Sequence, residues 1–342
     1  MQQITKDLLH WYDHNKRTLP WRATTLVVDP YSVWLSEIML QQTTVGAVKP
    51  YFEKFTKRWE TVQDLADATH DDVMHYWAGL GYYARARNLH QCAKVVANEM
   101  QGIFPQSEKE LLALPGVGVY TAAAICAIAF GTKAVVVDAN VQRVVSRLYR
   151  ITESLPASNP IIYKKTASIT PDANSGNFAQ AFMDLGSSIC TPRNPSCDTC
   201  PIEKYCKGKN IAETLPKKPP KKIKPIRKCF MHVIINKSGK VLAYKRSDKG
   251  LLGGTFGIPT TDWVDAYPES HSRAPSNLNW QQLNEKSDID TPIILRHTFT
   301  HFHLDMCVFT GTLATAPTGY KWVDIDVLPT VFKKPVMTAI KG

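Results

Sequence analysis

Four cysteines within seventeen residues are the densest chemical feature of the sequence. Their spacing is Cys190-x6-Cys197-x2-Cys200-x5-Cys206. Four thiolates at such a spacing can hold either a tetrahedral zinc ion or a 4Fe–4S cluster. A zinc ribbon more often has two Cys-x-x-Cys pairs across a longer loop, and here only the middle pair has that form. The spacing predicts a metal centre without deciding which one.

A glycine-rich turn separates two apolar helical patterns in residues 111–138, LLALPGVGVYTAAAICAIAFGTKAVVVD. Gly116 helps to end the first helix, and Gly118 allows the backbone to turn back. The second helix is predicted over residues 120–130, whose small apolar side chains suit a buried position. The N–H groups and the dipole at its start could bind a phosphate. The same pattern also fits an ordinary helical hairpin, because Gly-x-Gly is a weak signal.

Two carboxylates, Glu37 and Asp138, are candidates for acid–base chemistry. Asp138 precedes a helix with an apolar face, and at that N-cap position free amides and the helix dipole favour the ionised carboxylate. Glu37 lies in the helical pattern YSVWLSEIMLQQTTV, which Asp29 and Pro30 begin as N-cap and first-turn residues. Taken alone, these positions indicate no more than a helix cap and a solvated surface residue.

The composition indicates a cytosolic protein of two domains that binds nucleic acid. With 342 residues, 44% of them hydrophobic, the chain can form real cores and has no membrane-spanning run. The N-terminus lacks a signal-peptide core, so clustered cysteines are expected to bind metal rather than form disulfides. A net charge of +11 without a basic amphipathic helix favours nucleic acid over anionic lipid. The cations around the cysteines, which could face a DNA backbone or form a solvated surface, are Arg193, Lys204, Lys207 and Lys209.

Helical patterns fill the first two thirds of the chain, and strand patterns fill the last third. Besides the segments above, helices are expected at residues 4–17, 62–77, 89–100 and 176–188. Residues 211–228 contain six Lys, one Arg and four Pro with a single Glu, which predicts an extended cationic linker. Strands are expected at residues 230–235 and 241–244, and a short helix at residues 333–341.

Four widely separated segments of the chain resemble one family. LPGVG with the following VDAN resembles the helix-hairpin-helix DNA glycosylases of the endonuclease III superfamily, and SEIMLQQT resembles the adenine DNA glycosylases (MutY) within it. The cysteine run matches the iron–sulfur signature of that superfamily, so the resemblance implies one 4Fe–4S cluster on the four cysteines. RHTFTHFHL resembles the loop with which these enzymes recognise 8-oxoguanine in a Nudix-like C-terminal domain.

The resemblance implies a fold and a division into domains. An α-helical glycosylase of two subdomains, a six-helix barrel with the helix-hairpin-helix and an iron–sulfur subdomain, precedes a smaller α+β Nudix-like domain. The expected bounds are 1–210 for the catalytic domain with the cluster at 190–206, 211–228 for the linker and 229–342 for the Nudix-like domain. No Glu-rich metal-binding helix follows Pro259, so diphosphatase activity is not expected. The nearby His297, His301 and His303 lack Cys or acid partners, which disfavours a metal site there.

The resemblance also assigns roles to individual residues. Glu37 is the expected general acid and Asp138 the carboxylate that stabilises the sugar cation, while Tyr120 and Asn140 complete the catalytic set. Gln42 and Tyr82 are the expected wedges in the duplex. The other expected contacts with DNA or the flipped base are Arg22, Thr43, Leu80, Gly116 and Gly118, and those with 8-oxoguanine are Phe299, Thr300 and His301.

Two positions depart from the family pattern. Residues 23–28 form a loop about three residues longer than is usual in the family, directly after Arg22. Thr300 stands where the family most often has Ser, which keeps the hydroxyl and adds a methyl group.

The expected activity is hydrolysis of the N-glycosidic bond of adenine mispaired with 8-oxoguanine or guanine in duplex DNA, which initiates base excision repair. Bifunctional relatives carry a Schiff-base lysine where this chain has Tyr120, so a monofunctional glycosylase is expected. The alternatives are a bifunctional glycosylase/AP lyase similar to endonuclease III and a non-catalytic DNA-binding protein that senses redox state. We expect a monomer in a bacterial cytoplasm, associated with the nucleoid and without membrane partners.

Overall fold

The computed structural model describes residues 3–22, 28–220, 222–267 and 293–341. These residues form two compact units. The first, here called the helical unit, contains the described residues of 1–68 and 88–220. The second, here called the mixed unit, contains residues 69–87 and the described residues from 222 onward. A short helical stretch therefore groups with the C-terminal part of the chain.

Helices and strands follow one another largely as the patterns predict. The first helices are α1 Gln3–Asn15, α2 Pro30–Leu40, α3 Val45–Arg58, α4 Val62–Asp67, α5 His70–Trp77 and α6 Ala84–Glu99. The others are α7 Glu108–Leu111, α8 Val119–Phe130, α9 Ala139–Leu148, α10 Asn159–Ile169, α11 Ser175–Ser188 and α12 Thr330–Lys341. The strands are β1 Ile226–Ile235, β2 Val241–Lys245, β3 Phe256–Gly257, β4 Ile293–Thr298, β5 His303–Thr312 and β6 Lys321–Val323. None of the helices in the described ranges combines the length and the apolar character needed to cross a membrane.

Side-chain caps decide where several helices begin. Asp29 accepts hydrogen bonds from the backbone N–H groups of Tyr31 and Ser32 at the start of α2, as predicted. The prediction of one helix over residues 62–77 is wrong, because α4 ends and α5 starts anew. Thr69 accepts a hydrogen bond from the backbone of Asp72 at 3.1 Å and so caps a separate helix. Such side-chain bonds compete with the continuous helical ladder.

The helical unit is built around α8, whose residues 121–127 are all buried. Helices α2, α7 and α11 pack against α8. A Cβ atom at Gly176 would lie 2.4 Å from the carbonyl oxygen of Ala127, so glycine permits the close approach of α11 to α8. A second group of buried residues, which includes Leu8, Val145 and Phe182, joins α1, α9 and α11. These contacts fix the ends of α2, α8, α9 and α11 relative to one another.

The mixed unit contains a sheet with the strand order β3-β2-β1-β5-β4, and β6 pairs with the other part of β2. Strands β1 and β5 are parallel, from Ile226 opposite His303 to Ile235 opposite Thr312. The other strand pairs are antiparallel. Helix α12 packs on β1 and β5 and buries Phe332 completely. The arrangement is the α+β fold that the sequence predicts.

Both ends of the predicted linker at residues 211–228 have regular structure. A 3-10 helix covers Lys209–Thr214, and β1 already begins at Ile226. Because β1 pairs with β5 along its whole length, backbone hydrogen bonding extends the strand into residues that sequence composition assigns to the linker.

Candidate active site

Glu37 is buried on α2, with 5% of its surface exposed. Since α2 contacts both α3 and α8, residues 33–39 are all buried rather than only one stripe of them. Burial is the main reason why the pKa of Glu37 is raised to about 7. A hydrogen bond with Tyr120 and the charge of Arg22 oppose this rise, whereas the Asp138 charge adds to it. Among the described residues, none forms a hydrogen bond with the Oε2 atom of Glu37, so a protonated Glu37 could donate from it.

Tyr120 lies at the second position of α8 and faces the two carboxylates. Burial raises its pKa well above the usual value, and the charges of Glu37 and Asp138 act in the same direction. The phenol therefore stays protonated and can donate a hydrogen bond. Its hydroxyl also lies 4.0 Å from the Sδ atom of Met183. The helical unit thus brings Glu37, Tyr120 and Asp138 together from three different elements.

Asp138 caps the N-terminus of α9, as the sequence predicts. Its two oxygens accept hydrogen bonds from the backbone N–H of Val141 at 2.7 Å and from the side-chain amide of Asn140 at 2.8 Å. Burial raises the pKa of Asp138, whereas these hydrogen bonds and the charge of Arg143 lower it. On balance the pKa of Asp138 is raised, while the two hydrogen bonds and the charge of Arg143 limit the rise and support the ionised form.

Arg143 connects the Asp138 cap with the first cysteine of the cluster motif, a link that the sequence analysis missed. Its Nη2 atom donates to the side-chain oxygen of Asn140 at 2.8 Å, and its Nε atom donates to the carbonyl oxygen of Cys190 at 2.8 Å. The sequence feature that could have indicated the contact between Asn140 and Arg143 is their spacing of three residues, which places them on one face of α9. Asp138 is thereby held in place through Asn140 and Arg143.

Arg22, predicted to contact the adenine, is bound to a carboxylate of its own chain. Its two Nη atoms donate to both oxygens of Asp184 at 2.7 and 2.8 Å, and Arg17 donates to the same carboxylate through Nε at 2.7 Å. Burial of Asp184 opposes ionisation, but the hydrogen bonds and charges of the two arginines outweigh it and hold its pKa below the usual range. Neither Arg17 nor Asp184 was identified from the sequence. The position of the Asp184 carboxylate on the apolar face of α11 is a sequence feature that indicates a buried charge with a partner.

The long loop that follows Arg22 was expected to affect the role of Arg22. Residues 23–27 lie outside the described part of the chain. The effect of the longer loop on Arg22 therefore stays an expectation from the sequence.

The glycine turn before α8 is the predicted phosphate contact. Gly116 has a φ of +77°, and a Cβ there would lie 2.7 Å from the Cβ of Asn88. Gly118 is the N-cap of α8 and carries no side-chain cap, so the first N–H groups of α8 can receive an anion. After α2, Gln42 is exposed and has a φ of +58°, and the neighbouring Thr43 is partly exposed.

Tyr82 and the three candidate 8-oxoguanine contacts meet in the mixed unit. Tyr82 has 47% of its surface exposed and a φ of +49°. Its hydroxyl lies 3.4 Å from the Oγ1 atom of Thr300, which belongs to the turn at residues 299–302 between β4 and β5. His301 is exposed, whereas Phe299 packs on Phe302 with ring centroids 4.7 Å apart. We call residues 299–302 the reader loop.

Leu80 and the remaining histidines of this region have structural contacts. Leu80, predicted to contact DNA, is buried with 7% of its surface exposed. His303 pairs through Nδ1 with the hydroxyl of Thr298 at 2.9 Å, and the ring of His297 packs edge-on against Phe299. These two imidazoles therefore make structural contacts in and beside the reader loop.

The four clustered cysteines line one cavity of the helical unit. Arg147 lines it too and is buried, with 2% of its surface exposed. Its Nη1 atom donates to the carbonyl oxygen of Thr191 at 2.7 Å and lies 3.3 Å from the Sγ atom of Cys190. A Cβ at Gly208 would lie 2.5 Å from the carbonyl oxygen of Arg147, so glycine lets the cysteine segment close over α9. The cavity is thus bounded by thiols and a cation.

The four thiols are a donor set that suits a zinc ion or a 4Fe–4S cluster. Within the described ranges, no three His, Cys, Asp or Glu side chains are placed to hold one metal ion, although the four thiols face one cavity. Burial raises the pKa of Cys200 to about 12 and also raises that of Cys197 and Cys206. A cluster at this site would be held by these cysteines as thiolates. A 4Fe–4S cluster held by four thiolates suits this geometry.

Cys200→Ala is expected to remove the metal centre, because one of four thiolate ligands is lost. The purified variant should contain far less iron than the brown wild-type protein and should melt at a lower temperature. Iron analysis and visible absorbance measure the loss. Cys92→Ala is the matched control, since Cys92 is a buried thiol outside the cavity. A colourless wild-type protein with stoichiometric zinc would contradict the prediction.

Three segments of the chain match models of known protein families. Residues 35–168 match the HhH-GPD superfamily of base excision DNA repair proteins, and residues 190–206 match the iron–sulfur binding domain of endonuclease III. Residues 230–341 match the NUDIX domain. The four cysteines therefore form an iron–sulfur binding segment, as the resemblance predicted.

Curated relatives extend the similarity over most of the chain. An adenine DNA glycosylase from Buchnera aphidicola is 37% identical over 303 residues, which cover 87% of this chain and 82% of that protein. The human adenine DNA glycosylase is 31% identical over 402 residues, which cover 98% of this chain and 72% of that protein.

Solved structures show the same fold for the helical region. A thermostable thymine-DNA glycosylase is 33% identical, covers 59% of this chain and 93% of its own, and superposes with a TM-score of 0.53. A non-covalent complex of endonuclease III with DNA, at 21% identity and a TM-score of 0.50, shares the fold. Given the identity and coverage of the curated relatives, the chain belongs to the adenine DNA glycosylase family.

Proposed function

We propose that the chain hydrolyses the N-glycosidic bond of adenine mispaired with guanine or 8-oxoguanine in duplex DNA, as the first step of base excision repair. The observation that carries the proposal is Glu37, a buried carboxyl whose pKa is raised to about 7 and whose neighbours are Tyr120 and Asp138. A group that is half protonated near neutral pH is suited to proton transfer to a leaving base. Adenine DNA glycosylases are the curated relatives that cover most of the chain.

In the proposed reaction, Glu37 gives its proton to a ring nitrogen of adenine. The bond between the sugar and the base then breaks, and its electron pair leaves with the base. The sugar keeps a positive charge, which Asp138 stabilises or captures as a transient acetal. A water molecule supplies the hydroxyl to the sugar, and its proton returns to Glu37. Two carboxylates in different protonation states divide acid and anion roles in the same way in retaining glycosidases.

Several neighbours position these two carboxylates rather than react themselves. Asn140 holds Asp138 by its side-chain amide, and Tyr120 acts on Glu37 by lowering its pKa. Arg22 is fixed by Asp184 and by the carbonyl oxygen of Arg17, and its charge lowers the pKa of Glu37.

The proposed DNA surface of the helical unit combines the glycine turn with nearby cations. The free N–H groups at the start of α8 would bind one phosphate, and Gln42 and Thr43 would lie beside the target. Of the cations around the cysteines, Lys204 and Lys209 form ion pairs with acidic residues of this chain. Arg193 and Lys207 are therefore the better candidates for phosphate contacts.

In the mixed unit, Tyr82 and the reader loop would together contact the 8-oxoguanine. An aromatic wedge fills a gap in the base stack, and a hydroxyl beside it can read the edge of the neighbouring base. The 3.4 Å distance between the hydroxyls of Tyr82 and Thr300 supports this division of roles. The exposed imidazole of His301 adds a second polar group to the same turn.

Thr300→Ala combined with His301→Ala is expected to reduce the preference for 8-oxoguanine over guanine. 8-Oxoguanine differs from guanine by an oxygen at C8 and a proton at N7, and each lost edge contact costs about 1–3 kcal/mol of discrimination. Binding to duplexes with an uncleavable adenine analogue opposite either base measures the ratio of the two dissociation constants. We expect this ratio to fall about tenfold or more, with little change for guanine.

The matched control for this pair of substitutions is Thr315→Ala, an exposed threonine of the same unit. It should leave the ratio unchanged. A doubly substituted protein with the wild-type ratio would rule out the reader loop as the source of the preference.

The absence of a lysine at position 120 leads us to propose a monofunctional enzyme, with Tyr120 in that place. Incubation with a duplex containing adenine opposite guanine should leave an intact abasic strand that breaks only after alkali. Borohydride should trap little covalent complex, because no Schiff base forms. Efficient trapping would instead place the chain with the bifunctional glycosylases. The same gel measures release of the base. A non-catalytic redox-sensing protein would release none.

The proposed setting is a bacterial cytoplasm, where a monomer of this chain acts on the DNA of the nucleoid. One of the curated relatives with high coverage is bacterial. Size-exclusion chromatography with light scattering tests the monomer.

A further inference from the structure

The glycine-rich stretch at residues 250–254, GLLGG, contributes no group to the proposed chemistry, yet it contacts a specific helix. Within the mixed unit it lies against α5. Gly254 has a φ of +74°, and a Cβ there would lie 3.0 Å from the Nε2 atom of His70 and 3.5 Å from the Cε atom of Met74. The distance to His70, and one of 3.1 Å to the Oδ1 atom of Asp248, are tighter than ordinary van der Waals contact, whereas the distance to Met74 is an ordinary contact. A side chain at position 254 would therefore press on His70 and would also strain the backbone. We call residues 250–254 the glycine loop.

Two polar contacts join the same surfaces. Arg87, near the start of α6, donates through Nη1 to the carbonyl oxygen of Gly253 at 2.5 Å. Lys245, at the end of β2, pairs with Asp71 on α5. The exposed ion pair contributes little by itself, whereas the part-buried guanidinium bond satisfies a loop carbonyl directly. The glycine loop and the end of β2 are thus tied both to α5 and to the first turn of α6.

These contacts flank residues 79–83, which carry Tyr82 between α5 and α6. We call residues 79–83 the wedge turn. Its backbone is unusual, because Gly79, Gly81 and Tyr82 have φ values of +99°, +75° and +49°. A non-glycine residue in the left-handed region costs of order 1 kcal/mol or more and persists only when its surroundings hold it there. The two helices that bound the wedge turn must therefore be held in place.

We propose that the glycine loop is a platform that positions the wedge turn, with Arg87 as its main positioning residue. The proposal rests on the wedge role given to Tyr82 in the proposed function. It assigns the C-terminal part of the chain a second task, distinct from reading 8-oxoguanine: the platform supports insertion of Tyr82 at any mispair, whether guanine or 8-oxoguanine faces the adenine. Loss of the platform should therefore weaken binding with either opposing base, whereas loss of the reader loop should weaken binding chiefly with 8-oxoguanine.

The decisive comparison is Gly254→Ala against Gly250→Ala. Gly250 has a φ of +78°, so both substitutions impose a similar backbone strain, but a Cβ at Gly250 meets nothing within 4 Å. The probe is 2-aminopurine placed beside the base opposite an uncleavable adenine analogue, because its fluorescence rises when the stack is opened by a wedge. Gly254→Ala should lower the fluorescence change and weaken binding about tenfold with either opposing base, as expected when one stacking contact is lost. Gly250→Ala should stay within about twofold of wild type.

Arg87 provides a second variant that leaves the loop backbone unchanged. Arg87→Met removes the donor and keeps much of the apolar stem, and it should reproduce the effect of Gly254→Ala. Arg87→Lys keeps a cationic donor and should restore part of the fluorescence change. Thermal melts of each variant confirm that the fold is kept, so a loss of fluorescence reports the position of the wedge.

A double-mutant cycle with Tyr82→Ala separates the platform from other effects. If the glycine loop acts through the wedge, Gly254→Ala adds little once Tyr82 is gone, and the same holds for Arg87→Met. Additive losses would overturn the proposal, because the loop would then act on DNA by itself. Equal behaviour of the two glycine variants would overturn it as well. A single Tyr82→Ala variant with wild-type fluorescence and affinity would refute the wedge role itself, which is a failure of the proposed function.

Discussion

Glu37→Gln is expected to abolish adenine release, with a single-turnover rate at least about a thousandfold below that of the wild type. Glutamine keeps the size of the side chain but has no acidic proton to give to the base. Binding to a mispaired duplex should remain nearly intact, because Glu37 is buried and lies inside the site. The measurement is base release from a duplex containing adenine opposite guanine, with enzyme in excess. Glu53→Gln, on α3 and exposed, is the matched control.

The pH dependence of the wild-type rate tests the same assignment. Because the pKa of Glu37 is about 7, the protonated fraction falls above pH 7, and the rate should fall about tenfold for each further pH unit. A flat profile up to pH 9, or a Glu37→Gln rate near that of the wild type, would remove Glu37 from the role of proton donor.

Linkage predicts that Glu37→Gln does not destabilise the fold, so unfolding is not expected to cause its loss of activity. The folded-state pKa of Glu37, about 7, exceeds the ordinary value of 4.5, so the protonated form is favoured by folding. Its stabilising effect is complete below pH 4.5 and is lost as the pH rises through about 7. Above pH 7 the buried charge costs the wild type roughly 3 kcal/mol, which the neutral glutamine avoids. The variant should therefore melt at a higher temperature than the wild type at pH 8.

Helix caps and apolar spacing predicted most of the helices, since these signals lie close together in the sequence. Asp29 and Asp138 were identified as N-caps because a cap needs only its own helix. The break between α4 and α5 was missed, because Thr69 is one of many threonines and its cap becomes visible only with the Asp72 contact. Local signals thus fixed helix identity better than helix boundaries.

The burial of Glu37 could not be predicted from periodicity. An amphipathic helix has one buried stripe, but α2 packs against helices on more than one side, so Ser36 and Glu37 are buried as well. Only resemblance to a family indicated the importance of this residue. The raised pKa follows from tertiary packing and has no counterpart in the local sequence.

Contacts between residues that are far apart in the sequence could not be predicted either. Arg17 and Asp184 are 167 residues apart, and Tyr82 and Thr300 are 218 residues apart. Spacing cannot reveal such pairs, because either partner alone resembles an ordinary surface residue. The pairs matter because they hold side chains of the candidate site in defined directions.

Asp138→Asn is expected to slow the chemical step by about a thousandfold, because the sugar cation loses its counter-charge. The substitution is selective, since asparagine is as good an N-cap as aspartate and its oxygen can still accept the hydrogen bond from Val141. Helix α9 should therefore keep its place, and the melting temperature should change little. Rates from enzyme-excess experiments on a duplex with adenine opposite guanine give the loss of transition-state stabilisation directly.

Asp29→Asn is the matched control, because Asp29 is also an N-cap, at the exposed start of α2. It removes the same charge from the same kind of helix position without touching the site. If Asp138→Asn has the same rate as the wild type and as Asp29→Asn, Asp138 is only a helix cap. If only Asp138→Asn loses the rate, the carboxylate of Asp138 is required beyond its role as a helix cap, through its charge or through the second oxygen that accepts from Asn140. The link from Asp138 through Asn140 and Arg143 then explains how the carboxylate is kept in place for the cation that forms beside it.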